Sequence, residues 1–279
     1  MGDVSAVVFE GQDMLSSGSV SGTDDADVLT GGVGADTFLA LGAVNSVNGG
    51  SGDDSLVGGD GNNTLRGGHG DDTLIAGIGT DTIYGDDGND ILVDSQANDE
   101  IHGGAGNDLA FIGVYEDSDS IYMDEGIDFI DGQSAGSAFH AEGGDGNNLI
   151  NASNGNDTIH GNEGNDGLSS GAGYDTLDGG AGTDTLTGGT GDEVFAIHAV
   201  EGSVTVQGFG VDDAADRIDV SGLGDVFETP EELMVALSCT DRQTNLSFDV
   251  DGCTSLLTIM SENELDEDDF FFYKLLRAK

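Results

Sequence analysis

The sequence predicts an all-β solenoid of nonapeptide repeats, on three observations. From Gly22 the chain reads in nines, and Gly-Gly-x-Gly-x-Asp opens the clearest copies. The eighth position of nearly every copy is apolar, from Leu29 and Phe38 to Leu177 and Leu186, which places one inward residue on each short strand and suits a thin core between two sheets. The chain holds 49 Gly but a single Pro, so its glycines read as turn formers rather than as part of a disordered linker, where Pro is usually abundant.

The copies GGVGADTFL from Gly31, GGSGDDSLV from Gly49, GGDGNNTLR from Gly58 and GGHGDDTLI from Gly67 set the register. It continues through AGIGTDTIY from Ala76, GDDGNDILV from Gly85, DSQANDEIH from Asp94 and GGAGNDLAF from Gly103, and closes a first block over 22–111 behind an N-terminal cap segment, 1–21. The register then slips by two at Ile112 and Gly113, weak copies begin at Val114 and Met123, a poor one begins at Gly132, and a second slip falls at Ala141 and Glu142. GGDGNNLIN from Gly143 opens a second block that ends with GGTGDEVFA and covers 143–196. The irregular stretch 112–142 keeps Asp119 and Asp128 at sixth positions and Ile121 and Ile130 at eighth. It is expected to continue the solenoid, since two-residue slips fit within surface loops.

Charge narrows the function. The formal net charge is -49, from 55 Asp and Glu against 6 Lys and Arg. Nucleic acid and anionic membrane surfaces would repel such a chain. It needs bound cations or it stays an unfolded polyanion, and the 36% of apolar residues recurring at a fixed interval favours the first. A tight glycine turn exposes carbonyl oxygens, and the sixth position adds a carboxylate. Both are hard oxygen ligands, which suit Ca²⁺ rather than a softer metal. Asp and Gly in one copy would be as consistent with turn formation alone. Asp at one position of many aligned copies is not explained by turn chemistry.

In these tandem copies the chain resembles the hemolysin-type calcium-binding repeat family, also called repeats-in-toxin, over roughly two thirds of its length. The resemblance implies a right-handed parallel β-roll in which two nonapeptides make one turn, so that residues stacked on one side differ by eighteen. At that spacing one column reads Asp36, Asp54, Asp72, Asp90 and Asp108, all Asp. The other reads Asp27, Asn45, Asn63, Asp81 and Asp99, losing charge twice, and most glycines are gone from the copies carrying Asn45 and Asp99. The first column is expected to be nearly filled and the second patchy. In the second block Asp157 pairs with Asp175 and Asp166 with Asp184, and Asn148 and Glu193 end those columns. Asp119 and Asp128 complete the candidate ligands. About seven or more Ca²⁺ are expected; seven carry about fourteen positive charges and would leave about -35, so the ions are expected to be needed for folding.

After Ala196 the nonapeptides stop. SVTVQGFGVDDAADRIDVSGLG resembles the post-repeat segment of family members, and 197–279 is expected to form a β-rich cap with one short helix. Thr229, Pro230 and Glu232 suit that helix start as N-cap, first turn and capping box. NLSFDV, the turn Asp251-Gly252 and SLLTIM read as a hairpin. Such a cap protects the solenoid end from edge-to-edge association. The terminal DEDDFFFYKLL resembles the uncleaved C-terminal signal of proteins exported by type I secretion, which makes the type I apparatus an expected partner and the secreted or cell-surface compartment the expected location. Met1 to Val20 lacks the basic and apolar regions of a cleavable signal peptide, and no stretch approaches the length of a membrane span. Cys239 and Cys253 could pair outside the cell or remain free thiols.

No catalytic machinery is expected. His69, His102, His140, His160 and His198 stand apart in the sequence and read as solvated turn and outer-strand residues, with no HExxH, zinc spacing or phosphate loop. Gly132-Gln133-Ser134-Ala135-Gly136 matches the nucleophile-elbow pattern, but it lies in a degenerate repeat and not between a strand and a helix; Ser134 with His140 is the hydrolase alternative. The other alternative is a module binding a cell-surface or polysaccharide ligand, or ice, through a flat face. Seventh-position Thr at Thr37, Thr64, Thr73, Thr82, Thr158, Thr176 and Thr185 is too interrupted for a regular ice-binding rank.

Overall fold

The computed structural model describes residues 8–10, 18–113, 118–132, 136, 138–198, 202–210, 216–222, 238–240, 243–250, 253–261 and 270–271. Successive short strands alternate between two parallel sheets, so the chain winds as a β-roll. Among the described residues the first sheet has 13 strands. It includes Val28–Thr30, Ser46–Ser51, Thr64–His69, Thr82–Asp87, Glu100–Ala105, Ser120–Glu125, His140–Asp145 and Thr158–Glu163 in spatial order. The second has 14, including Thr37–Leu39, Ser55–Asp60, Thr73–Ile78, Ile91–Val93, Leu109–Phe111, Phe129–Asp131, Leu149–Asn151 and Gly167–Ser169.

The nonapeptide explains this winding. Three to six residues run extended, the glycine turn reverses direction, and the next nine repeat the motion on the opposite sheet. Thr64 therefore pairs with Thr82, and Ser55 with Thr73. The eighth-position side chains all point between the sheets: Leu29, Leu56, Leu65, Leu74, Ile83 and Ile101 are fully buried, as are Ala110, Ala141 and Phe195 further along. Each large aliphatic residue so buried contributes about 1.5–3 kcal/mol. The core is one side chain deep.

Across 112–142 both sheets remain paired. Leu109 meets Phe129 and Phe129 meets Leu149 in the second sheet; Glu100 meets Ser120 and Ser120 meets His140 in the first. The spacing is 20 residues there and returns to 18 where His140 meets Thr158. The second insertion lies between Phe129 and His140, not at Ala141 and Glu142 as the register of nines suggests. Ala141 is the inward residue, stacked between Ile121 and Ile159, while Phe139 occupies the sixth position. The bulky Phe139 looks like the core residue in sequence, and counting in nines assigns it there. The insertion moves it two places, and its ring joins the core from the turn, buried against Gly132.

Beyond the repeats, Gly202–Phe209 joins the second sheet and Arg217–Gly222 the first. Gln243–Val250 and Cys253–Ser261 form an antiparallel pair that ends the second sheet together with Ser238–Thr240. Phe270–Phe271 pairs with Ile218 and Asp219 as the last strand of the first sheet. Cys239 aligns with Thr244 and Cys253 with Val250, near opposite ends of Gln243–Val250. The helix expected from Thr229, the acidic part of the tail and Ser134 lie outside the described residues. No helix among the described residues is long and apolar enough to cross a membrane.

Candidate metal centres

The turns between the sheets carry the sixth-position residues in two columns, one on each edge of the roll. On the first, the backbone N–H of Asp36 donates to Asp54 Oδ1, that of Asp54 to Asp72, Asp72 to Asp90, Asp90 to Asp108 and Asp108 to Asp128, each at 2.7 Å. The chain of bonds goes on from Asp128 to Asn148, from Asn148 to Asp166 and from Asp166 to Asp184. The irregular stretch therefore joins the first block to Asp166 and Asp184 in a single column. The second column runs through Asp27, Asn45, Asn63, Asp81, Asp99 and Asp119. Phe139 interrupts it, and it resumes at Asp157, whose Oδ1 accepts from Phe139, and continues to Asp175.

Asp27, Asp36 and Asp157 accept hydrogen bonds at both carboxylate oxygens, whereas in most of the other column aspartates one oxygen is satisfied and the other is not. Asp54, Asp72, Asp81, Asp90, Asp108, Asp128, Asp166, Asp175 and Asp184 each bury Oδ2 with no hydrogen-bond donor. A buried, donorless carboxylate oxygen is costly unless a cation or a proton meets it. Burial pushes the carboxyls of Asp72, Asp90 and Asp108 up to about 7, and those of Asp81, Asp128, Asp157 and Asp166 to about 6. Asp54, Asp175 and Asp184 are raised for the same reason. The backbone N–H bonds pull the other way and do not compensate. Oxygen-only donor sets with uncompensated negative charge fit Ca²⁺.

The first-position glycines are explained by this packing. A Cβ at Gly49, Gly67, Gly85 or Gly161 would overlap Oδ2 of Asp54, Asp72, Asp90 or Asp166. The second and fourth positions instead require left-handed backbone, which persists at Leu41 and Ala43 where glycine is lost. That strain falls in the copy that carries Asn45.

Asn45 and Asn63 show what replaces a cation. Asn63 Nδ2 donates to the Gly61 carbonyl at 2.8 Å. Asn45 Nδ2 lies within 3.1–3.4 Å of the carbonyls of Gly42, Ala43 and Gly58 and of Asn63 Oδ1. The amide donor supplies there the positive end that turn carbonyls would otherwise seek from an ion. Asn148 differs, since its Nδ2 is buried without an acceptor.

Three participants were not singled out from the sequence. Asp94 stands at a first position, where most other copies have Gly and a few have Ala or Ser, and its carboxylate lies beside those of Asp99 and Asp119. Burial, and then the facing Asp94 carboxyl, raise Asp99. Asp216 lies beyond the repeats, buried beside Glu193, whose N–H donates to Asp216 Oδ1 at 3.0 Å. Burial, then the contact with Asp216, raise Glu193. The acid in place of a first-position Gly was a legible signal for Asp94. Asp216 has none in the register of nines, because its strand follows at a spacing of 23. Phe139 is the third, for the reason given above.

The histidines are not isolated. On the outer face of the first sheet Arg66 covers Tyr84, Tyr84 stacks on His102 at 4.9 Å and His102 on Tyr122 at 5.1 Å, and the rings of His140 and His160 follow edge-on. His102 meets Glu100, His140 meets Glu142, and Asp178 lies between His160 and His198. Stacking along the ninth-position rank, which His140 joins from a seventh position, half-buries residues that the sequence assigns to solvent. Contact with Asp178 raises His160 and His198. Asp178, which burial alone would raise, is held below the usual carboxylate range by those same two rings.

The chain shares 27% identity with the solution structure of the AlgE6R3 subunit of the mannuronan C5-epimerase from Azotobacter vinelandii, over 48% of this chain and 83% of that one, with a TM-score of 0.37. A search of curated proteins finds no match. The family profile described as "RTX calcium-binding nonapeptide repeat (4 copies)" matches residues 17–45, 48–83, 84–111, 142–177 and 168–193, just over half of the chain. With its glycine turns and stacked carboxylates, the chain belongs to the RTX calcium-binding nonapeptide repeat family.

Proposed function

We propose that the chain is a secreted, non-catalytic module that folds on Ca²⁺ binding after export. The carrying observation is the row of buried Oδ2 atoms without donors along Asp54, Asp72, Asp90, Asp108 and Asp128, flanked by carboxyls that burial raises. Ions are assigned to successive pairs of these residues, to Asp36 with Asp54, to Asp81 with Asp99, to Asp157 with Asp175 and to Asp166 with Asp184, about seven or more in all. Asp27, facing Asn45, is the weakest candidate.

Extracellular calcium modules bind near ~10⁻⁴–10⁻³ M. A cytosolic polyanion would thus stay unfolded and exportable, and would fold outside the cell. The segment 197–279 serves as the cap, and its last residues as the type I signal. Circular dichroism of the whole chain with Ca²⁺ and with chelator tests the reading; a β signal that chelation leaves unchanged would sink it. A flat-face binding role is the second reading, favoured by the continuous rank from Arg66 through Tyr84, His102 and Tyr122. Those rings face one another, so only their edges are offered outward.

A further inference from the structure

We propose that Asp94, Asp99 and Asp119 form a three-carboxylate cation site that binds more tightly than the column sites and prefers a trivalent hard cation, of the lanthanide class, over Ca²⁺. The inference rests on the calcium reading above and adds a ligand, a rank order and a selectivity to it.

The three side chains are 4%, 3% and 3% exposed, and one carboxylate oxygen from each lies within 4.8 Å of the others. Backbone bonds hold all three in place. Asp99 N–H donates to Asp119 Oδ1 at 2.9 Å, as in every column pair. Asp94 Oδ2 accepts from Gly113 N–H at 3.1 Å, and Asp94 Oδ1 accepts from Ser95 N–H. Asp99 Oδ2 is buried in the cluster with no donor.

The difference from the other turns lies at the first position. In most copies a glycine there gives the sixth-position carboxylate its room, as at Gly67 against Asp72 and Gly85 against Asp90, and Ala76 and Ala152 add no more than a methyl group. Here that room holds a second carboxylate from the same copy. A pair of stacked turns normally brings two carboxylates together; this one brings three, for a local charge of -3. One Ca²⁺ leaves a buried negative charge uncompensated, whereas one trivalent ion leaves none. Donor charge count is a main determinant of affinity among oxygen-ligand sites. Every donor is a hard oxygen, which disfavours soft metals. The site also lies where the spacing changes from 18 to 20, so an ion here ties the coil together across the insertion.

The test is calorimetric titration of the Ca²⁺-loaded full chain with Tb³⁺, repeated with Asp94→Asn, which keeps the acceptor for Gly113, and Asp94→Gly, which restores the repeat's own residue. Glu125→Gln, an exposed acid outside the cluster, controls for the loss of one charge. Circular dichroism in saturating Ca²⁺ first establishes that each variant folds. The expected result is one Tb³⁺ class tighter than the rest in the parent and in Glu125→Gln, weakened at least about tenfold in both Asp94 variants. A tight class that persists in Asp94→Asn overturns the site, as does a parent without one. Stronger binding in the Asp94 variants also overturns it, and assigns the Asp94–Asp99 pair to proton sharing. A parent chain whose β signal ignores Ca²⁺ would remove the calcium reading itself, a result separate from these.

Discussion

The backbone N–H of Asp72 donates to Asp90 Oδ1 at 2.7 Å, one coil further along, and Asp90 Oδ2 is left buried without a donor. One side chain thus ties two coils together and keeps an open valence for an ion. Removing it should cost both. Asp90→Ala is expected to raise the Ca²⁺ midpoint of folding and to destabilise the loaded chain by about 1–3 kcal/mol. Asp53→Asn, at an exposed fifth position, should do neither. Calcium titrations followed by circular dichroism, with denaturant unfolding at saturating Ca²⁺, separate the two effects.

Acidity should act in opposite directions on the ion-free and loaded chains. Burial raises Asp72, Asp90 and Asp108 to about 7 and Asp81, Asp128, Asp157 and Asp166 to about 6, above their unfolded values. For the ion-free roll that contribution to stability is complete below the unfolded carboxyl value and is lost as pH rises through 6 to 7. The chelated chain is therefore expected to gain β structure between pH 7.5 and about 4.5. Ca²⁺ competes with the same protons, so its affinity should fall as pH drops from 7.5 to 5.5 and its binding should release protons. Calorimetry in two buffers of different ionisation enthalpy measures that release; none detected would contradict the assignment.

At Asn45 and Asn63 a side-chain amide meets the turn carbonyls. Asn63→Asp removes the amide that donates to Gly61 and places a carboxylate opposite the same carbonyl. One additional Ca²⁺ should bind, and the chelated variant should be less stable than the parent. Ion counting by equilibrium dialysis checks the first expectation. An unchanged count would show that the carbonyls around Asn63 do not form a site.

The first-position glycines should be intolerant for a reason other than backbone freedom. Gly67→Ala brings a methyl group into Asp72 Oδ2 and the Gly85 carbonyl, at an expected cost of about 1–3 kcal/mol and with weaker Ca²⁺ binding. Gly136→Ala, where a Cβ meets nothing within 4 Å, should leave both unchanged. Thermal unfolding in saturating Ca²⁺ distinguishes the two glycines.

The sequence by itself determined the period, the inward residues and the two acid columns. A nonapeptide repeat maps each side chain to one place in its copy, so Leu65 and Leu74 read as core, and the eighteen-residue coil that the family resemblance implies stacks Asp72 on Asp90. Tertiary structure decided what lies off that period. Ala141 takes the inward place that counting in nines gives to Phe139, because the insertion falls earlier, and apolarity alone does not reveal where an insertion falls. Asp216 reaches Glu193 through a pairing at a spacing of 23, and His198 reaches Asp178 at a spacing of 20, which the repeat does not set. Asp94 was visible as an acid where glycine belongs, but only stacking places it against Asp99 and Asp119. A short-period repeat specifies local contacts by counting, whereas contacts across insertions and at the end of the solenoid depend on how far the chain travels before it returns.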